Sequence, residues 1–486
     1  MAYILESEHK NKPYLKYFED IAAIPHGTYN EQEISNYIVE FAKKRGLYYV
    51  QDETYNVFIK KPATPGYENH ETIILQGHMD MVCEKVPDSK HDFLTDPLKL
   101  YIEDGWLTAE ETTLGADDGV AVAYILAILD DENLEHPALE CVINTGEEAG
   151  VLGAKAFDTS ILTGKKFIGL DGCTEGTSTI MTSGVIGGTF FRVVDWEDNT
   201  KNMYKIKIFG LSAGHAAANI GNEQSNAIKA IGRILYYINK IYDIRIATIN
   251  GGSYRNAIAE ECEVIFSVDE DHIDEVKKIY EKYSILEMQE HKISDPDMKF
   301  SFEKSENIYK VLTKDAGNDL INFMYFMPSG TCMRSIKYDF LPIASRNIGT
   351  VKIVDKDGFN ALEITYIFRC VNSTQLEELY NKGCAMAGAL NFSFELQSRY
   401  SGYEIKPGSD FYNIYAKVYK EMSGKDLTFE TVHYGTDVGT YAERISGLDI
   451  IVLSPEIRDV HRPTERLNLA SFDRVYGYLK EVIRRS

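Results

Sequence analysis

The chain has no run of ~18 apolar residues, the length a helix needs to cross a bilayer, so no membrane span is expected. It has no CxxC pair. Its seven cysteines (Cys83, Cys141, Cys173, Cys262, Cys332, Cys370 and Cys384) are odd in number and widely scattered, which argues against a disulfide framework and for reduced thiols in a cytoplasm. It has no internal repeat at a solenoid period and no low-complexity segment. The stretch "MAYILESEHKNKPYLKYF" is charged early and lacks a long apolar core, so it does not resemble a signal peptide. Positive charge is in short supply: 51 Lys and Arg stand against 74 Asp and Glu, a net charge of −23. Nucleic acid and anionic membrane surfaces would be repelled and are not expected partners.

What is present fits a soluble globular protein, 44% apolar and 26% charged. At 486 residues the chain is too long for one typical core, so two or three domains are expected. The early chain alternates strand-like and helix-like segments. "EQEISNYIVEFAKKRG" puts Ile34, Tyr37, Ile38 and Phe41 on one helical face, with Gly46 as a stop. "ETIILQG", "ALECVINTGEEAG" and "KKFIGLDG" read as strands, and "DDGVAVAYILAILDD" as a largely buried helix. This alternation argues for an α/β sheet. After about Val185 the pattern shifts to strands with polar alternation, "TFFRVVDWEDN" and "MYKIKIFGLSAGH". A helix follows with Ile228, Ile231, Leu235, Ile238 and Ile241 on one stripe, and then the strands "ECEVIFSVDE" and "ALEITYIFRCV". Near Arg399 the chain turns helical again, and "LDIIVLSP" is a strand entering a final helix. The expected division is a catalytic domain formed by residues 1–186 and 399–486, interrupted by an inserted α+β domain over residues 187–398.

The ends of the strand-like runs carry the chemistry. His78 and Asp80 follow "IIL", two residues apart and therefore on one face of a strand. Asp117 and Asp118 precede a helix, Glu147 and Glu148 follow a strand, Asp171 ends "FIGLDG", and His461 follows "LDIIVL". Taken singly, each has a plainer reading: a structural histidine, a solvated Glu pair, or an Asp-Asp-Gly helix cap. Taken together, five loops deliver imidazoles and carboxylates to the carboxyl edge of an open α/β sheet, where ligands gather. Crowded carboxylates repel unless cations neutralise them. Imidazole with carboxylate suits Zn²⁺, Mn²⁺ or Co²⁺ better than Cu(I) or an iron–sulfur cluster.

The motifs "GHMDMV", "TTLGADDG", "TGEEAG", "LDG", "GLSAGHAA", "NGGSYRNAI" and "VHRPTERL" span His78 to Leu467 in one order. In these the sequence resembles the M20 metallopeptidases, and within them the aminoacyl-histidine dipeptidase branch. The resemblance implies a zinc-peptidase-like α/β catalytic domain with a mixed central sheet flanked by helices, interrupted by an α+β lid. At ~100 residues per compact unit the insert is about twice a single small lid. It also implies two divalent ions, Zn²⁺ first, with Mn²⁺ and Co²⁺ open. His78 would bind one ion and His461 the other, Asp117 would bridge, and Glu148 and Asp171 would complete the two sets. The Asp117–Asp118 peptide would be cis. Asp80 would fix the His78 ring. Glu147 would be the general base toward a water shared by the ions.

In the insert, His215 would steady the oxyanion and Asn256 would bond the substrate. Arg369 would clamp a C-terminal carboxylate with its planar fork, with Arg346 as a rival. Two departures touch specificity. Ala216 and Ala217 follow His215 where serine and glycine are usual, and Asp437 in "HYGTDVG" stands where glutamate is usual. The expected activity is hydrolysis of short unblocked peptides, Xaa-His dipeptides such as β-alanyl-histidine among them. An M20-type tripeptidase and an N-acyl amino acid deacylase are the alternatives, and a non-catalytic metal-binding protein is a remote one. The expected assembly is a monomer or a homodimer in the cytoplasm.

Overall fold

The structure, a computed structural model, describes residues 3–306, 309–337, 341–356, 358–405 and 408–486. The chain divides into two compact units. One comprises Met1–Thr182, Gly402–Thr431 and Thr436–Ser486; the other comprises Ser183–Ser401 and Val432–Gly435.

The first unit is built on a mixed six-stranded sheet. Its order is Tyr48–Gln51, Val57–Lys61, Leu139–Asn144, Ile73–His78, Lys166–Gly169 and Asp449–Val452. The last four run parallel, and the first two are added antiparallel at one edge. Ile73–His78 and Leu139–Asn144 are buried at every position, as central strands covered on both faces must be. The helix Ala116–Asp130 is apolar nearly all round and buried accordingly. It lies so close to the central strand that a Cβ on Gly77 would stand 2.2 Å from Ala121 Cβ and 2.6 Å from Asp118 Oδ2. Only glycine fits there, and this is why a glycine precedes His78. Amphipathic helices complete the unit. Gln32–Lys44 buries Ile34, Ile38 and Phe41 and ends before Gly46, whose φ is 65°.

The second unit carries an antiparallel nine-stranded sheet. Eight strands follow in the order Lys299–Ser305, Asn202–Phe209, Cys262–Val268, Arg245–Gly251, Pro342–Lys356, Phe359–Cys370, Gly184–Val193 and Ser393–Tyr400, and Gly330–Arg334 pairs with Pro342–Lys356. Ile186, Phe190, Ile348, Tyr366 and Phe368 project into one core with the helices Ala227–Asn239, Lys314–Phe326 and Ser373–Gly388, so the helices cover one face. Asn226 caps the first of these by accepting the N–H groups of Ile228 and Lys229. The Lys229 ammonium donates to the carbonyls of Met324, Tyr325 and Met327 at 2.6–2.7 Å, satisfying the end of Lys314–Phe326. One residue of the expected stripe fails. Ile241 lies beyond the helix end at Asn239 and is 65% exposed, because the chain has already turned there.

All seven cysteines are free. Among the described residues no helix is long and apolar enough to cross a membrane.

Candidate metal centre and active site

Four parallel strands of the first unit end at one edge, and the site is built on the chain that follows them. His78 closes Ile73–His78, and Glu147 and Glu148 follow Leu139–Asn144. Asp171 follows Lys166–Gly169, and His461 lies beyond Asp449–Val452. Asp117 comes from the first turn of Ala116–Asp130, whose N-cap is Gly115 with φ 69°. The two aspartates therefore do not cap that helix. Asp117 departs from helical φ/ψ and its peptide bond to Asp118 is cis.

The Asp117 carboxylate divides between the two histidines. Oδ1 is 3.3 Å from His78 Nε2, and Oδ2 is 3.3 Å from His461 Nε2. His461 Nε2 is also 2.9 Å from Glu148 Oε1. One donor atom from each of His78, Asp117 and Glu148 lies within 4.8 Å of the others. Donors held ~2.1 Å from one tetrahedral ion stand ~3.4 Å from each other, so these spacings suit ligands sharing cations, with Asp117 between two of them. Charge points the same way. Burial and the Asp117 charge push the Asp171 carboxyl up to about 7. Burial raises Glu147 well above the carboxylate range and raises Glu148 as well. Burial also opposes ionisation of Asp117, but His461 and His78 hold it low. His461 is raised to about 11 by Asp117 and Glu148. Such an acid-rich cluster lacks only cations to be balanced. The carboxylates of Glu147 and Asp171 have no hydrogen-bond partner among the described residues.

Three buried carboxyl groups set this geometry. Asp80 accepts the main-chain N–H of Glu147 at 3.0 Å, that of Glu148 at 3.3 Å, and the Thr28 hydroxyl at 2.9 Å. Its Oδ1 is 3.4 Å from His78 Nδ1, and its own main-chain carbonyl is nearer that nitrogen, at 3.0 Å. Asp80 thus holds the ring and the acidic turn together. Glu465, 2% exposed, accepts four main-chain N–H groups. Leu114 and Gly115 donate to Oε2 at 2.8 and 3.0 Å, and Ala116 and Asp117 to Oε1 at 2.9 and 3.3 Å. Asp118 accepts the His78 N–H at 3.2 Å. The support given by Glu465 and Asp118 has no signature in the spacing of the motifs, because their partners are amides that every sequence possesses.

The family model of peptidase family M20/M25/M40 matches residues 74–485. The chain belongs to that family. It is 28% identical over 475 residues, 97% of each chain, to the cytosol non-specific dipeptidase of Escherichia coli (strain K12). The crystal structure of an aminoacylhistidine dipeptidase from Vibrio alginolyticus superposes with a TM-score of 0.87 at 27% identity, over 97% of this chain and 96% of that one. An aminopeptidase PepT from Bacillus cereus matches over 97% of each chain with a TM-score of 0.55 and 16% identity, which speaks to the fold alone.

The second unit of this M20 chain carries the remaining expected residues. The main chain ties the His215 and Asn256 segments together: Ala216 N–H donates to the Asn256 carbonyl at 2.6 Å, and Ile258 N–H to the Gly214 carbonyl at 2.9 Å. Both side chains are exposed. Asn347 Nδ2 donates to the Ala257 carbonyl at 2.7 Å, which fixes that loop to the sheet. Arg369 pairs in register with Ser345 and Val185, so it shares with Asn347 the face opposite the helices. Arg346 pairs with Phe368 and takes the helix-covered face, near Cys332 and Tyr366. The two rivals therefore project to opposite sides of one sheet.

Beside Arg369 lies His433. Its ring is held by the Ser183 and Ser345 hydroxyls, each at 2.7 Å, and its carbonyl accepts Arg369 Nη1 at 3.3 Å. These bonds group Val432–Gly435 with the second unit, although the segment falls within residues 399–486, expected in the catalytic domain.

Proposed function

We propose that the chain is a dinuclear metal-dependent dipeptidase that hydrolyses short unblocked peptides, Xaa-His among them. The observation that carries this is the Asp117 carboxylate with one histidine at each oxygen, Glu148 alongside, and a Glu147 carboxylate with no hydrogen bond among the described residues. His78, Asp117, Glu148, Asp171 and His461 would hold two divalent ions, Zn²⁺ foremost, with Mn²⁺ and Co²⁺ accepted by the same donors. When bound, the ions would polarise the peptide carbonyl and make a water acidic enough to react near neutral pH.

Glu147 takes the proton of the attacking water and returns it to the departing amine. Its carboxylate, which no hydrogen bond engages among the described residues, is free for both halves of that transfer. Asp80 orients His78 and fixes the turn from which Glu147 projects. His215 donates to the carbonyl oxygen as it becomes an oxyanion, Asn256 bonds the peptide, and Arg369 takes its C-terminal carboxylate through a buried guanidinium. The two relatives at 27–28% identity over 97% of this chain are named as dipeptidases, which favours dipeptides over tripeptides and N-acyl amino acids. The free thiols fit a reducing cytoplasm.

Replacing Glu147 with Ala tests the reading. Two metal ions per chain should remain by elemental analysis, while turnover of a dipeptide falls by ~10²–10⁴. Unchanged turnover removes Glu147 from its role, and a preparation that binds no metal at any concentration removes the whole scheme.

A further inference from the structure

The second unit buries positive charge. Arg369 is 2% exposed, and its Nε has no hydrogen-bond partner. The same is true of Nε in the half-buried Arg255, whose Nη1 donates to Gln397 Oε1 at 2.6 Å. Among the described residues no carboxylate pairs with either guanidinium, in a molecule that carries an excess of 23 negative charges. Both belong to the helix-free face of the sheet. A Cβ on Gly187 would stand 2.7 Å from Ser398 Oγ and 3.6 Å from Arg255 Nε, which places the Arg255 guanidinium over this strand. Gly187 pairs with Ile367, two residues before Arg369 on the same face, a step of ~7 Å along the strand. Burial lowers the proton affinity of Arg369, Arg255 is near enough to lower it further, and the Arg369 guanidinium bonds the Tyr400 hydroxyl. A buried guanidinium is always charged and has no acceptor capacity, so two of them without an anion form a cradle for one.

A dipeptide brings one C-terminal carboxylate, enough to neutralise one of the two. We infer that Arg255 and Arg369 form a two-guanidinium pocket that selects peptides with an acidic C-terminal residue, Arg369 taking the main-chain carboxylate and Arg255 the side-chain one. This rests on the dipeptidase reading above and adds a substrate class to it. A protonated imidazole in the same place would meet two positive charges and be disfavoured, so Xaa-His would be the poorer substrate at low pH.

The experiment compares Ala-Glu with its neutral isostere Ala-Gln on the metal-loaded enzyme. The expected kcat/KM ratio is at least tenfold in favour of Ala-Glu, collapsing toward one as ionic strength rises. In Arg255→Met the ratio falls to near one whatever happens to the absolute rates, and Arg255→Lys, which keeps the charge, restores part of it. A wild-type ratio of one, or a ratio that survives Arg255→Met, overturns the inference and leaves the dipeptidase reading standing. Hydrolysis of neither peptide overturns the dipeptidase reading instead. The pocket is then read without turnover by titrating glutarate against butyrate: tenfold tighter glutarate binding that is lost in Arg255→Met supports it, and equal binding refutes it.

Discussion

Glu465→Gln changes one atom and should be costly. The wild-type carboxylate accepts two amides on each oxygen, from Leu114 and Gly115 on one and from Ala116 and Asp117 on the other. Whichever oxygen becomes NH₂, a donor then faces two donors. At ~1–3 kcal/mol for each buried N–H left unsatisfied, two lost bonds amount to ~2–6 kcal/mol, and relaxation of the loop places the expected loss near ~3 kcal/mol. Glu465→Ala loses all four bonds but opens room for water, and should cost about as much. The usual ranking, in which glutamine is the benign replacement, disappears. Trp106 gives the signal, because it pairs with Asn468 three residues beyond Glu465 and is the only tryptophan of the first unit. Urea unfolding followed by its fluorescence in a Trp196→Phe background reports that unit alone. Amide exchange at 114–117 should accelerate in parallel. A glutamine variant with the wild-type midpoint and wild-type exchange would refute the argument that this carboxylate holds the loop of Asp117.

Three further outcomes follow from the geometry. Gly77→Ala drives a methyl to 2.2 Å from Ala121 Cβ, and should destabilise by ~3 kcal/mol and lower metal content, read by thermal melting and elemental analysis. Burial and the Arg369 charge push His433 down to about 3, against 6.5 in an unfolded chain, so the unfolded state binds more protons between those values and stability falls as pH drops. Between pH 6.5 and 5 this is ~2 kcal/mol that His433→Gln does not lose, so the gap between wild type and variant in urea midpoint should narrow at pH 5; a constant gap would contradict it. Lys229→Met leaves three carbonyls uncapped and should cost ~2–3 kcal/mol, seen as earlier exchange at the end of Lys314–Phe326.

Much of the first unit was legible because its strands and helices differ in period and its acidic and imidazole groups fall where apolar runs end. His78, His461 and the pairs Asp117–Asp118 and Glu147–Glu148 were nameable for that reason, the choice of Asp117 and Glu148 within the pairs came from the family resemblance, and the structure brings His78, Asp117, Glu148 and His461 together. Asp80 was legible only as a companion of His78. Its grip on the Glu147–Glu148 turn depends on two strands lying side by side, and the sequence does not state which strands pair. Arg346 and Arg369 could not be told apart for a related reason: the face a strand residue takes follows from register, and register comes from the partner strand. Ile241 misled because a helical stripe continues on paper after the chain has turned. Glu465 was invisible in the sense that matters, since its four partners are main-chain groups some 350 positions earlier.

His461 and Glu465 stand four residues apart beyond the last strand of the six-stranded sheet, one at the cluster and the other gripping the loop of Asp117. On a translating ribosome Asp117, Glu147 and Glu148 therefore emerge some 310 positions or more before this segment. A nascent chain therefore carries most of the cluster before it has the histidine and the carboxylate that complete it.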